Sequence, residues 1–167
     1  MLTDKPDGFR YFIELAFNGT NFHGWQVQPG EVTVQEVLNH AVGTLTGEKV
    51  NLVGCGRTDS GVHASHYVAH FDTVAPLADC SQLALRLNRF VGHQIRIDRI
   101  VGVPHDFHAR YHALSRTYQY FISTEKSPFM NDFSWTLTMP LDAAAMNASC
   151  GFLLGRHDFT SFSKLHT

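Results

Sequence analysis

From Phe9 to Phe17 the chain alternates with a period of two. Phe9, Tyr11, Ile13, Leu15 and Phe17 fall on one side, and Arg10, Phe12, Glu14 and Ala16 on the other. Side chains of an extended chain point alternately to opposite faces, so this run predicts a strand with one face turned to a core. Asn18-Gly19 ends it with residues that accept positive φ. A half-apolar strand must be covered by another layer, and the segments that follow carry the spacing of helices.

Thr33-Val34-Gln35-Glu36 has the form of a capping box, and Val34, Val37, Leu38, Ala41 and Leu45 then recur at helical intervals before Gly47. A second strand is expected from Lys49 to Cys55 and a third from Tyr67 to Thr73. Asp79 or Ser81 can cap a helix carrying Leu83, Leu87 and Phe90. Ile95, Ile97, Val101 and Val103 alternate as a fourth strand, with Arg99 interrupting the apolar face. The order β-α-β-β-α-β predicts an α+β fold of two layers, a ferredoxin-like unit with two helices on one face of an antiparallel sheet. Thr117–Thr124 then reads as a further strand and 140–154 as a helix. The expected organisation is therefore an N-terminal α/β domain over residues 1–104 and the start of a second, incomplete α/β unit over 105–167.

Hydrophobic residues make up 44% of the 167 and charged residues 17%, enough for a packed core and too apolar for a disordered chain. No apolar run is long enough to cross a bilayer, and the N-terminus lacks the layout of a signal peptide, so a cytoplasmic location is expected. Cys55, Cys80 and Cys150 are few and widely spaced, which indicates neither a disulfide framework nor a thiolate zinc site. The net charge of −2 argues mildly against a nucleic-acid partner. Arg86, Arg89, Arg96, Arg99, Arg110 and Arg116, however, face only Asp98 and Asp106 over their stretch, a local excess of four positive charges. Charge leaves the question open.

The stretch richest in chemistry is Gly54-Cys55-Gly56-Arg57-Thr58-Asp59-Ser60-Gly61-Val62-His63-Ala64. Its three glycines allow a tight backbone and the close approach of a ligand. Arg57 stands two residues before Asp59, and a neighbouring cation favours the ionised carboxylate that a nucleophile or base requires. Residue chemistry alone leaves a structural ion pair and a catalytic carboxylate both open.

GRTDSGVHA resembles the catalytic motif of the TruA family of tRNA pseudouridine synthases, usually written GRTDAGVHA, with Ser60 in place of alanine. Other pieces match in the family's order: Phe17–Gln26, Thr33–Glu36, Phe107-His108-Ala109-Arg110-Tyr111, Arg116-Thr117-Tyr118-Gln119-Tyr120, and Gly155–Phe162. The resemblance implies an isomerase that converts uridine to pseudouridine in the anticodon stem-loop of tRNA, at positions 38–40, without cofactor or metal. It implies that Asp59 is the catalytic aspartate, that Arg57 pairs with it and helps hold the extruded nucleotide, and that Tyr118 packs on the uracil. Arg110 is implied at the RNA backbone. A homodimer touching one tRNA with both subunits is implied as well. The stretch Asn88–Ile95 departs from the family by lacking a Leu-Pro-x-Asp-Ile pattern, and members usually continue well past this length, so a truncated member is expected.

Three other readings stand beside this one. His63, His66 and His70, with His105 and His108, raise a metal site, although no thiolate or carboxylate completes a zinc spacing. A non-catalytic RNA-binding protein would keep the arginines and aromatics but would not need Asp59, and a pseudouridine synthase acting on another RNA is a broader alternative within the enzyme class.

Overall fold

The computed structural model describes residues 8–162. Two compact units divide the chain, Met1–Tyr118 and Gln119–Thr167.

In the first unit β1 (Phe9–Phe17), α1 (Val34–Thr46), β2 (Val53–Gly54), β3 (Ala64–Thr73), α2 (Cys80–Phe90) and β4 (Ile95–Val103) follow in the expected order. The strands form one antiparallel sheet in the order β2-β3-β1-β4. Tyr11, Ile13, Leu15 and Phe17 of β1 are buried in one cluster with Val34, Leu38, Ala41 and Val42 of α1 and Leu83, Ala84 and Leu87 of α2. Each fully buried aliphatic side chain of this kind stabilises the fold by about 1.5–3 kcal/mol. Thr33 caps α1 by accepting the Glu36 N–H, and Gly47 ends it in the left-handed conformation at φ 75°. Asp79 caps α2 by accepting the Gln82 N–H. Phe90, expected on α2 with Leu83 and Leu87, is 43% exposed, with its ring beside His40.

Three elements of this unit differ from expectation in extent or register. The strand expected over Lys49–Cys55 is paired only at Val53–Gly54, because the Leu52 N–H donates to the Asn39 side chain and the Leu52 carbonyl accepts from Gln35. Those α1 amides take the place of ladder partners. β3 begins three residues early, at Ala64, where it pairs with Phe17. In β4 the register slips between Glu14 and Leu15, so Asp98 is an extra residue and Ile100 rather than Val101 turns to the core. The bulge explains how Arg99 can interrupt the alternation: it lies on the open face, 2.5 Å from Glu14.

The open face of the sheet carries residues 105–112. Arg10 of β1 donates to the carbonyls of His105 and Phe107, at 2.7 and 3.1 Å, and Phe107 packs edge-on against Phe12. His70 of β3 is buried there beneath His108, and its Nδ1 accepts the Ala109 N–H at 3.2 Å.

In the second unit β5 (Ile122–Ser123) runs parallel to β6 (Trp135–Thr136), followed by α3 (Ala143–Cys150) and a 3-10 turn at Gly151–Leu153. The strand expected over Thr117–Thr124 is thus paired only at Ile122–Ser123. The helix expected over 140–154 starts only after Asp142, whose side chain caps it by accepting the Ala145 N–H.

Candidate active site

The loop that carries Asp59 is built on three aromatic rings. Phe17 of β1, Trp25 and Tyr67 of β3 are buried and in mutual contact, with Trp25 and Tyr67 centroids 4.3 Å apart. A Cβ on Gly54 would lie 2.1 Å from the Tyr67 hydroxyl and 2.6 Å from the Trp25 ring, so only glycine lets β2 run over this pair. The Tyr67 hydroxyl donates to the Gly56 carbonyl. Burial, above all, raises the Tyr67 pKa far above its ordinary value, so the phenol keeps the proton that it donates.

The backbone is then tied down step by step. The Cys55 N–H donates to the Val68 carbonyl at 2.8 Å and the Trp25 N–H to the Thr58 carbonyl at 3.1 Å. Val62 N–H closes a turn onto the Asp59 carbonyl, and Gly61 N–H donates to Phe22, each at 3.2 Å. His63 Nδ1 accepts the Gly19 N–H. Cys55 also receives two hydrogen bonds on its carbonyl from Arg116, through Nε at 2.9 Å and Nη2 at 2.5 Å.

On this pinned frame Asp59 and Arg57 are both exposed. Among the described residues neither side chain makes a hydrogen bond or an ion pair, so the structure does not join Arg57 to Asp59. Tyr118 is 67% exposed, and Arg110 is exposed with its guanidinium unpaired among the described residues. What does link their segment to the Asp59 loop is Arg116, which bonds the carbonyls of both Cys55 and Arg110. An extended residue spans at most about 3.6 Å, which keeps the Tyr118 Cα within roughly 7 Å of that of Arg116.

Sequence reasoning had the glycines admitting a ligand. At positions 54 and 56 the room is taken by the protein's own side chains instead, Tyr67 and Trp25 at the first and Arg116 at the second. The roles of Trp25, Tyr67 and Arg116 at this loop were missed. The sole available signal was that each lies within or beside a motif. The Thr58 hydroxyl, next to Asp59, is a buried side-chain oxygen with no hydrogen-bond partner among the described residues. The arginine excess is smaller than the count from residues 86 to 116 suggested. Arg99 pairs with Glu14, an acid outside the counted stretch, while the Asp98 that pairs with Arg96 at 2.7 Å was already in the count. The histidines divide: His66 is exposed, while His70 and His108 meet ring to ring at 4.5 Å. Among the described residues no group of three or more His, Cys, Asp or Glu side chains is arranged to hold a metal ion.

Comparison with known proteins bears on the same loop. A family model described as tRNA pseudouridine synthase matches residues 15–112, a span that includes Arg57, Asp59 and Arg110 and stops before Arg116 and Tyr118. Proteins named tRNA pseudouridine synthase A from Parabacteroides distasonis and Bacteroides fragilis are 48% and 45% identical to this chain over 95% of its length. One of the same name from Thermoanaerobacter pseudethanolicus is 41% identical over 90%. The chain spans about 63% of the length of the first two of these relatives and 62% of the third. With a family match over more than half of its residues and this level of identity, the chain belongs to the tRNA pseudouridine synthase family.

Proposed function

We propose that this chain carries the catalytic aspartate of an enzyme that isomerises uridine to pseudouridine in the anticodon stem-loop of tRNA, at positions 38–40. The observation that carries the reading is the state of Asp59: an exposed carboxylate without a protein partner among the described residues, on a loop whose backbone is fixed on both sides. A carboxylate paired for stability would be bonded to the protein, whereas one kept for a substrate is held in place and left open.

The reaction breaks the bond from N1 to C1′, turns the uracil and joins C5 to C1′; the proton on C5 leaves and N1 gains one, so the product is an isomer. Asp59 can attack C1′ or C6, or remove the C2′ proton. In each case a stacked uridine must first leave the helix. Arg57 is positioned by its place in the loop to meet the displaced nucleotide, Tyr118 offers an exposed ring on which the uracil can pack, and the Arg110 guanidinium is open to a phosphate. The same reading places the intact protein in the cytoplasm as a homodimer, each tRNA touching both subunits.

The test is pseudouridine mapping on tRNA incubated with the full-length protein and with its Asp59→Ala variant. The variant is expected to bind tRNA within a few-fold of the parent and to form no pseudouridine. Undiminished product from Asp59→Ala would overturn the reading and favour a protein that binds RNA or acts through another group.

A further inference from the structure

We infer that Arg116 is a positioning residue, which locks the Asp59 loop and the Tyr118 segment into one catalytic arrangement. The inference rests on the reading of Asp59 above and extends it to a residue that touches neither substrate nor reacting atoms.

The geometry is that of a clamp. Arg116 Nε and Nη2 both donate to the Cys55 carbonyl, at 2.9 and 2.5 Å, and Nη2 donates again to the Arg110 carbonyl at 2.8 Å. The two acceptors are 55 residues apart in sequence, so no local turn brings them together. The guanidinium lies against the backbone of Gly56, where an added Cβ would stand 3.2 Å from Nε. Cys55 is also bound on its other side, by its N–H to Val68 in β3. Arg116 therefore fixes the orientation of the peptide that leads from the sheet into Arg57, Thr58 and Asp59.

Arginine suits this task for a chemical reason. Its planar head presents donors in fixed directions and stays charged at any working pH, so it can hold two carbonyls at once. A hydrogen bond from a charged donor to a neutral carbonyl is stronger than one from a neutral amide N–H. Tyr118 follows two residues later, and Arg110 is the residue whose carbonyl is held. One side chain thus connects the loop of the catalytic carboxylate with the residues proposed to receive the uracil and the RNA backbone. Nη1 is left without a protein acceptor among the described residues, and direct contact with a phosphate is the competing role that the experiment separates.

The experiment measures kcat, KM and tRNA affinity in the full-length protein for Arg116→Ala, Arg116→Lys and Asp59→Ala, with amide exchange along the loop. A displacement of about 1 Å at a catalytic group can cost about a hundredfold in rate. Arg116→Ala is therefore expected to lower kcat by about ten- to a hundredfold, with KM and Kd within about threefold. The hydrogen-bonded amides of Cys55, Gly61 and Val62 should exchange faster while those of β1 keep their protection. Arg116→Lys should show the same division with a smaller loss, and it carries the test if the alanine variant does not fold. A normal kcat in both variants, or a loss lying in KM and Kd, would overturn the inference and assign Arg116 to framework or to phosphate contact. Because Asp59→Ala is measured alongside, an inactive Asp59→Ala with unimpaired Arg116 variants condemns the clamp alone. An active Asp59→Ala condemns the clamp together with the reading of the site.

Discussion

At residue 24 the chain is held at φ 80°, and a Cβ built there would stand 2.3 Å from the Thr58 carbonyl oxygen and 3.2 Å from the Asp59 carbonyl carbon. Two separate costs thus meet at one glycine. A left-handed backbone costs a residue with a Cβ about 1–2 kcal/mol, and forcing atoms into a packed contact adds about 1–3 kcal/mol. Gly30 separates them, since it has the same φ of 80° with nothing within 4 Å of its added Cβ. Gly30→Ala is expected to carry the backbone cost alone, and Gly24→Ala to lower the melting temperature further and, on the function proposed above, to reduce pseudouridine formation by the full-length protein, because the obstructed neighbour is the Asp59 loop. Equal melting temperatures and equal activities in the two variants would show that the loop yields freely. At this scale the legible residues were those whose chemistry lies close together in sequence. Arg57 and Asp59 stood out because a cation and a carboxylate two residues apart, flanked by glycines, form a pattern. Arg116 acts on Cys55 from 61 residues away, and nothing in the local sequence of either residue announces a contact that exists only once the sheet is formed.

Among elements, β1, α1 and α2 were legible because the period agrees with a boundary signal in each: Asn18-Gly19 after β1, Thr33 and Gly47 around α1, and Asp79 before α2. The ends of β2 and the bulge in β4 were not, because both are set by partners: Asn39 and Gln35 of α1 take the Leu52 backbone, and the slip opposite Glu14 turns Ile100 inward. β3 carries a consequence for acid stability. His70 points to the open face yet is buried, and burial first, then the charges of Arg10 and His108, lower its pKa from 6.5 to about 4, with Asp72 opposing and His105 adding to the lowering. In the unfolded chain this histidine takes up a proton below about pH 6.5, whereas in the folded protein it stays neutral until near pH 4. The unfolded state binds more protons across that window, so stability falls as the pH drops from 6.5 to 4 and this contribution is flat below. Asp72, lowered by its hydrogen bonds with Arg10, adds a loss of the same sign at lower pH. Urea unfolding of the parent at pH 7 and pH 4.5 should show a drop that is clearly smaller in His70→Gln, which cannot take the proton. An identical drop in the two proteins would remove His70 as its source.

For the molecule as a whole, stability is concentrated in one of the two units. Every buried hydrophobic side chain among the described residues lies at or before Ala109. Within residues 119–162 none is buried, and Phe129, Phe152 and Leu154 are 89%, 84% and 78% exposed. A pair of two-residue strands and an eight-residue helix, α3, cannot repay the entropy of ordering without such burial. The alternation and helical spacing of that stretch were readable as local structure. Its lack of a core was not, since burial depends on what packs against a face rather than on the face itself. Local opening should therefore come at far lower free energy in the second unit than in the first. Brief trypsin treatment of this chain is expected to cut first after Lys126 and Arg156, both exposed, and only much later after Arg86 and Arg89, which are equally exposed but lie on α2. The fragment ending at Lys126 should keep the cooperative unfolding transition of the whole chain within a few degrees, because it retains every core residue named above. First cuts within α2, or a fragment with no cooperative transition, would place the stability elsewhere and make the second unit a partner in the fold.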